Sequence, residues 1–270
     1  TKLSFPLKSG FKGKKILFST LFELKSILTN QILNPWNFSA KTLFLEANNK
    51  LVSLKGEALF AGIPVSGEWS KSFVPATNNM SKLDGQLTLN KLAISILKLE
   101  PLGINFDGEA TAVFSIKFEK NSPPLFKLKS DLKGLNLSHP AINWQKPSVG
   151  LSTLKLEGRF STPMEVSNIS FNSPGLSIDG KLFFKENGSV ERFFCQSMII
   201  KDWLNLILEA KPKADGKYLV NILGGDLNLS LANNKSIEKF NPLAFPFLID
   251  LIESFIIEGP TLLRSVRTAP

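Results

Sequence analysis

The sequence predicts a mainly β protein built of antiparallel sheet. Two observations carry this: apolar side chains recur at every second position in stretch after stretch from about Leu51 to Leu231, and Gly, Pro, Asn or Asp fill most of the gaps. In residues 111–119 the even positions Ala112, Phe114, Ile116 and Phe118 fall on one side of an extended strand. The same beat returns in 125–133, 151–157, 176–184, 203–210 and 218–231. One face of such a sheet is apolar and the other mostly wet.

Taken in order, residues 1–8 read as extended. In 15–33 the period changes: Ile16, Leu17, Thr20, Leu21, Leu24, Ile27 and Leu28 follow a spacing near 3.6 and predict a helix lying on the sheet, ended by Asn34-Pro35. Strands follow at 38–46, 51–59 and 63–69, then a loop at 74–79. Residues 91–97 fit either a strand or a helical turn. Asn121-Ser122-Pro123-Pro124 joins two strong strands. Beyond it, Lys133-Gly134, Glu157-Gly158, Asp179-Gly180 and Gly224-Gly225 read as turns between short strands, and Gly56, Gly62 and Gly67 also read as lying between strands. Asn187-Gly188 is the clearest hairpin signal. Residues 246–257 predict a short amphipathic helix, about 18 Å long and too short for a hydrocarbon core about 30 Å thick, whose apolar stripe is expected to plug or cap one end of the sheet, the alternative being a helix that lies on a membrane surface or a partner. The domain organisation is therefore 1–36, an extended segment and helix packing on the sheet; 37–232, repetitive β; and 233–270, the C-terminal helix and tail.

With 270 residues, 43% of them hydrophobic, the chain can build a core. Its net charge of +9 comes mainly from Lys spread singly along strands, with four Arg to grip phosphate, so solvated strand faces explain it better than a nucleic-acid partner. The Phe side chains lie in apolar phase with Leu and Ile, which removes the exposed aromatics that base stacking requires. One Cys, Cys195, excludes an intrachain disulfide and reads as a buried structural thiol. His139 is the only histidine, and it reads as a surface loop residue before Pro140. The carboxylates Asp107, Glu109 and Glu119 crowd one strand region with none predicted opposite them, and no nucleophile elbow, Walker loop or zinc motif occurs. No catalytic group, metal or cofactor is expected, and the chain reads as a non-enzyme.

The segment 51–69, with Gly56, Gly62-Ile63-Pro64-Val65 and Trp69, resembles the YhdP branch of the AsmA-like proteins. Leu83-Asp84-Gly85-Gln86-Leu87-Thr88-Leu89, Pro140-Ala141-Ile142-Asn143-Trp144-Gln145-Lys146-Pro147 and Gly175-Leu176-Ser177-Ile178-Asp179-Gly180-Lys181-Leu182 are similar to that family's turn and strand grammar. The resemblance spans about Phe38 to Leu231. It implies an elongated, twisted sheet curled into an open groove. It also implies a periplasmic setting, anchored to the inner membrane through a segment absent from this chain, and phospholipid transport between the inner and outer membranes, a part of outer-membrane biogenesis. The partners expected are phospholipid acyl chains, with membranes contacted through parts outside this chain. A bare tail of about 16 carbons faces roughly 13 kcal/mol of exposure to water at about 0.8 kcal/mol per CH₂, a barrier that an apolar lining removes without catalysis. The wall contacts expected are Phe114, Ile116, Phe118, Phe126, Leu128, Leu154, Leu156, Leu182, Phe184, Leu206, Leu208, Leu227 and Leu229. The alternative is a structural or interaction module, a closed β-sandwich whose second sheet covers the apolar face.

Overall fold

The computed structural model describes residues 2–4, 17–33, 36–74, 80–96, 104–139, 144–201, 204–213, 218–228 and 265–267. The described chain is mainly β, almost wholly antiparallel and nearly free of helix. It divides into two compact units, residues 1–88 with 113–126, and residues 89–112 with 127–270.

The first unit carries strands β1 (Lys2–Ser4), β2 (Leu17–Leu33), β3 (Trp36–Asn48), β4 (Leu51–Phe60), β5 (Ile63–Ser72) and β6 (Met80–Leu89), each hydrogen-bonded to the next in sequence order. Leu89 at the end of β6 already belongs to the second unit. Next come α1 (Lys91–Ile96) and β7 (Asn105–Gly108). Strands β8 (Ala110–Glu119) and β9 (Leu125–Ser130) divide between the units. The second unit continues with β10 (Leu135–His139), β11 (Trp144–Lys146), β12 (Thr153–Arg159), β13 (Glu165–Ser173), β14 (Leu176–Phe184), β15 (Val190–Ile200), β16 (Leu204–Pro212), β17 (Tyr218–Asn228) and β18 (Ser265–Arg267). Strands β12 to β17 form consecutive antiparallel pairs, β18 pairs parallel to β17, and β11, β10 and β7 form a separate three-stranded sheet.

The helix expected over 15–33 is a strand instead. β2 runs for 17 residues and pairs with β3 from Ser19↔Asn48 to Leu33↔Trp36. The false helical period has a local cause. Ser26 adopts φ 53°, and the face that β2 shares with β3 is lined by Phe22 and Leu24 before it and by Ile27 and Thr29 after it. That spacing of two, three and two imitates a helical stripe, and Leu17, Leu21 and Leu28 on the other face fill in the pattern. The helix expected over 246–257 lies outside the described residues. The ambiguous 91–97 segment is helical as α1: Asn90 caps it, its Oδ1 accepting from the Ala93 amide at 3.1 Å and its carbonyl from the Ile94 amide at 3.1 Å.

Several glycines expected in turns lie within strands. Gly56 and Gly67, expected between strands, stand on β4 and β5 in one cross-strand row with Gly85 of β6. Gly158, Gly180 and Gly225 lie inside β12, β14 and β17, the first two where the pairing register shifts. A Cβ at Gly67 would stand 2.5 Å from the Asp84 carbonyl oxygen, and one at Gly180 2.6 Å from that of Phe194. The neighbouring backbones therefore come too close for any side chain, as they do where a sheet bends. Register shifts also fall in step across β12 to β17, at Glu157/Gly158, Val166/Ile169, Asp179/Gly180, Cys195/Met198 and Ile207/Leu208, and bulges of this kind strengthen twist. The Asn187-Gly188 hairpin is present: the Lys185 amide donates to the Ser189 carbonyl at 2.8 Å and Gly188 takes φ 74°. Gly67→Ala is expected to cost about 2 to 3 kcal/mol because backbone must move. Gly188→Ala, in open space with strained φ, is expected to cost about 1 kcal/mol. Urea denaturation of both variants checks the order, and equal costs would refute the close-approach account.

Candidate functional site

Pairing register decides which side chains share a face. In the first unit, one face carries the rows Phe22–Leu45–Leu54–Trp69–Leu83, Leu24–Leu43–Gly56–Gly67–Gly85 and Ala58–Val65–Leu87. The opposite face carries Glu23, Lys25, Glu46, Lys55, Glu68, Lys82 and Asp84. There Lys55 Nζ meets Glu46 Oε1 at 2.9 Å, and Lys82 Nζ meets Asp84 Oδ2 at 2.8 Å. The hydrogen bond to Glu46 raises the Lys55 pKa. On the apolar face Leu43 is buried, whereas Leu45, Leu54, Trp69, Leu83, Val65 and Leu87 keep partial contact with solvent. A second sheet packed face to face would bury such a row, since sandwich cores are dry.

The second unit repeats the division of faces. Its apolar rows are Leu154–Phe171–Ile178–Met198–Leu206, Leu156–Ile169–Gly180–Cys195–Leu208, Val166–Leu182–Phe193–Ala210 and Ser173–Leu176–Ile200–Leu204. Burial here is deeper: Leu176, Leu182, Ile200, Leu204, Leu206, Leu208 and Ala210 are all buried. The outer face is ionic. Arg192 lies 4.1 Å from the Phe183 ring centroid and donates to Glu209 Oε1 at 3.1 Å, and Lys211 Nζ meets Glu209 Oε2 at 2.8 Å. Hydrogen bonds from Lys211 and then Arg192 hold the Glu209 carboxyl below its usual pKa.

The expected wall residues divide accordingly. Phe114, Ile116 and Phe118 share one face of β8 and are half-buried, as are Phe126 and Leu128 on β9 and Leu154 and Leu156 on β12. The tip of the Phe114 ring lies 2.8 Å from where a Cβ on Gly85 would stand, so the ring covers the space that glycine leaves. Leu182, Phe184, Leu206 and Leu208 are core residues. Leu227 pairs with Leu204, and Leu229 lies outside the described residues. Leu45, Leu54, Trp69 and Leu83 were missing from the expected wall, although 51–69 carries the same two-residue beat.

The Trp144 to Pro147 segment builds a buried junction. The Trp144 indole donates to the Pro174 carbonyl at 2.9 Å and meets the Phe171 ring edge-on, 5.7 Å between centroids. The buried Lys146 ammonium donates to the carbonyls of Leu132 at 2.7 Å, Leu135 at 2.8 Å and Pro147 at 3.1 Å. Burial draws its pKa below the ordinary lysine value, and the Asp131 carboxylate opposes that. The three-stranded sheet is thus fastened to the β13–β14 turn by one indole and braced internally by one ammonium. His139, expected in a loop, is the last residue of β10 and pairs with Trp144. Cys195 is buried, its thiol 3.6 Å from the Asp179 carbonyl oxygen, and burial pushes its pKa up to about 12. Asp107, Glu109 and Glu119 are exposed, and among the described residues no three His, Cys, Asp or Glu gather where a metal could sit. No family model matches this sequence, and no curated protein or solved structure matches it significantly.

Lys146→Met would take the ammonium donor from three carbonyls, leaving that of Leu132 with the longer bond from the Leu135 amide at 3.3 Å, and is expected to cost about 2 to 4 kcal/mol in urea denaturation. A loss below about 1 kcal/mol would refute the bracing role. A thiol with a pKa near 12 is protonated at neutral pH, so Cys195 should ignore an aromatic disulfide reagent at about pH 8 in the native protein and react stoichiometrically once denaturant is added. Rapid native labelling would contradict its burial.

Proposed function

We propose that this chain is a lipid-binding segment of an AsmA-like protein, sheltering phospholipid acyl chains on an apolar sheet face as they pass between inner and outer membranes. One observation carries the reading: the row Leu45–Leu54–Trp69–Leu83 is apolar across four strands and each of its members keeps contact with solvent. Leaving that row wet forgoes burial energy of about 25 cal/mol per Å², so an apolar occupant gains by covering it. The row of close-approaching glycines and the stepped bulges favour a curled sheet, and the ionic opposite faces suit water on the convex side. The resemblance in 51–69, 83–89, 140–147 and 175–182 supplies the periplasmic setting and an inner-membrane anchor outside this chain. No described helix is long and apolar enough to cross a membrane. Shelter of this kind needs no nucleophile, metal or cofactor, so the segment acts without catalysis.

The rival is a closed sandwich without a lipid path, and it draws on the deep burial of Leu206, Leu208 and Ile200 in the second unit. A photoreactive residue separates the two. Placed at Leu83 or Phe114 on the apolar face, it should crosslink phospholipid in cells or in vesicles. Placed at Lys82 or Lys117 on the opposite face, it should not. Native mass spectrometry should find phospholipid retained by the purified chain. Crosslinking from neither face, with no retained lipid, would sink the proposal.

A further inference from the structure

The apolar face of the first unit ends in charge. Two residues beyond Trp69 on β5 comes Lys71, paired with Val52 of β4 on one side and with Ser81 of β6 on the other. Alternation puts all three on the face that carries Leu54, Trp69 and Leu83. Lys71 is exposed and Ser81 half-buried. Lys120 follows Phe114, Ile116 and Phe118 at the same two-residue spacing, just past the end of β8, and lines an open cleft with Met80 at the start of β6. In the order β5, β6, β8, the two lysines therefore stand on either side of Ser81 within one unit. The lysines of the opposite face differ from them. Lys55 and Lys82 each meet a carboxylate, whereas among the described residues no carboxylate pairs with Lys71 or Lys120. Nor does Lys71 guard a sheet edge, since β5 lies between β4 and β6.

We propose that Lys71 and Lys120, with the Ser81 hydroxyl, bind the phosphate of a phospholipid headgroup while an acyl chain lies along the apolar face from Trp69 towards Val65. This rests on the lipid reading and gives the bound molecule a direction. From Lys71 to Val65 is about 20 Å at about 3.3 Å per residue, room for most of an acyl chain. Two ammonium groups without carboxylates complement a phosphodiester, and charge-assisted hydrogen bonds are about twice as strong as neutral ones. Lysine acts as a point charge without a fixed fork, so the site selects the phosphate and not the group esterified to it. At the far end of the face, the row Ala58–Val65–Leu87 has no polar side chain. A lipid bound the other way round would set its phosphate against alkyl groups.

Native mass spectrometry of the full chain, titrated with a phosphatidylglycerol and with the diacylglycerol of identical tails, tests this. The phosphatidylglycerol should be held about tenfold more tightly. Lys71→Gln combined with Lys120→Gln, both at exposed positions, should abolish that preference and leave diacylglycerol binding unchanged. Lys117→Gln, on the opposite face of β8, should keep it. Equal binding of the two lipids, or a preference that survives in the double variant, overturns the headgroup site and leaves the acyl shelter standing. Binding of neither lipid overturns the lipid reading and this site with it. Inorganic phosphate alone should not displace the phosphatidylglycerol, and displacement would assign the lysines to free phosphate and overturn the lipid assignment. Circular dichroism of the double variant checks that the sheet is intact.

Discussion

Strand register is the constraint on which the rest of this protein depends. Because side chains alternate with a period of two, a slip of one residue between neighbours would carry an apolar row to the ionic face. Leu54 stands with Trp69 and Leu83, and Lys55 with Glu68 and Asp84, only while the pairing of β3 to β6 holds. Backbone hydrogen bonds supply the attraction, but turn geometry sets the phase. Ala61-Gly62 closes β4 onto β5 with φ values of 50° and 84°, and Asn187-Gly188 closes β14 onto β15.

The second unit adds a requirement that no single strand meets alone. A register shift in β14 at Asp179/Gly180 is accompanied by shifts in the neighbouring pairs, so inward residues stay inward on both sides of the irregularity. Gly180 fits beneath Phe193, whose ring approaches the missing Cβ position within 2.9 Å, as Phe114 approaches Gly85. Bend and aromatic cover occur together. The ring restores apolar contact where a close backbone leaves no room for a side chain.

Much of this was legible in the sequence, and the failures have physical causes. The strands with an unbroken two-residue beat, β8, β14 and β16, were readable because one face is apolar along their whole length. β2 was not, because both its faces carry Leu and the phase changes at Ser26. Gly67 and Gly180 looked like turns because the sequence cannot report how closely a neighbouring strand approaches. Of the candidate surface, the alternation identified Phe114, Ile116 and Phe118 as residues of one face. It could not distinguish them from Leu206 and Leu208, which share the pattern but are buried, since burial depends on partners distant in sequence. Lys146 carried no signal of its own: its buried position becomes intelligible only when the Leu132, Leu135 and Pro147 carbonyls converge on it.

The stepped register shifts limit how this protein can change over evolutionary time. A residue inserted or deleted in β14 would move that strand out of phase with β13 and β15 together, and repair would need matching changes in both neighbours at once. Length changes are tolerated most easily at hairpin tips such as Asn187-Gly188, where a Cβ on the glycine would meet nothing within 4 Å. Related chains should therefore differ in the length of their turns while keeping the number of residues in each strand, so the spacing between shifts would be a more durable mark of ancestry than the identity of any side chain.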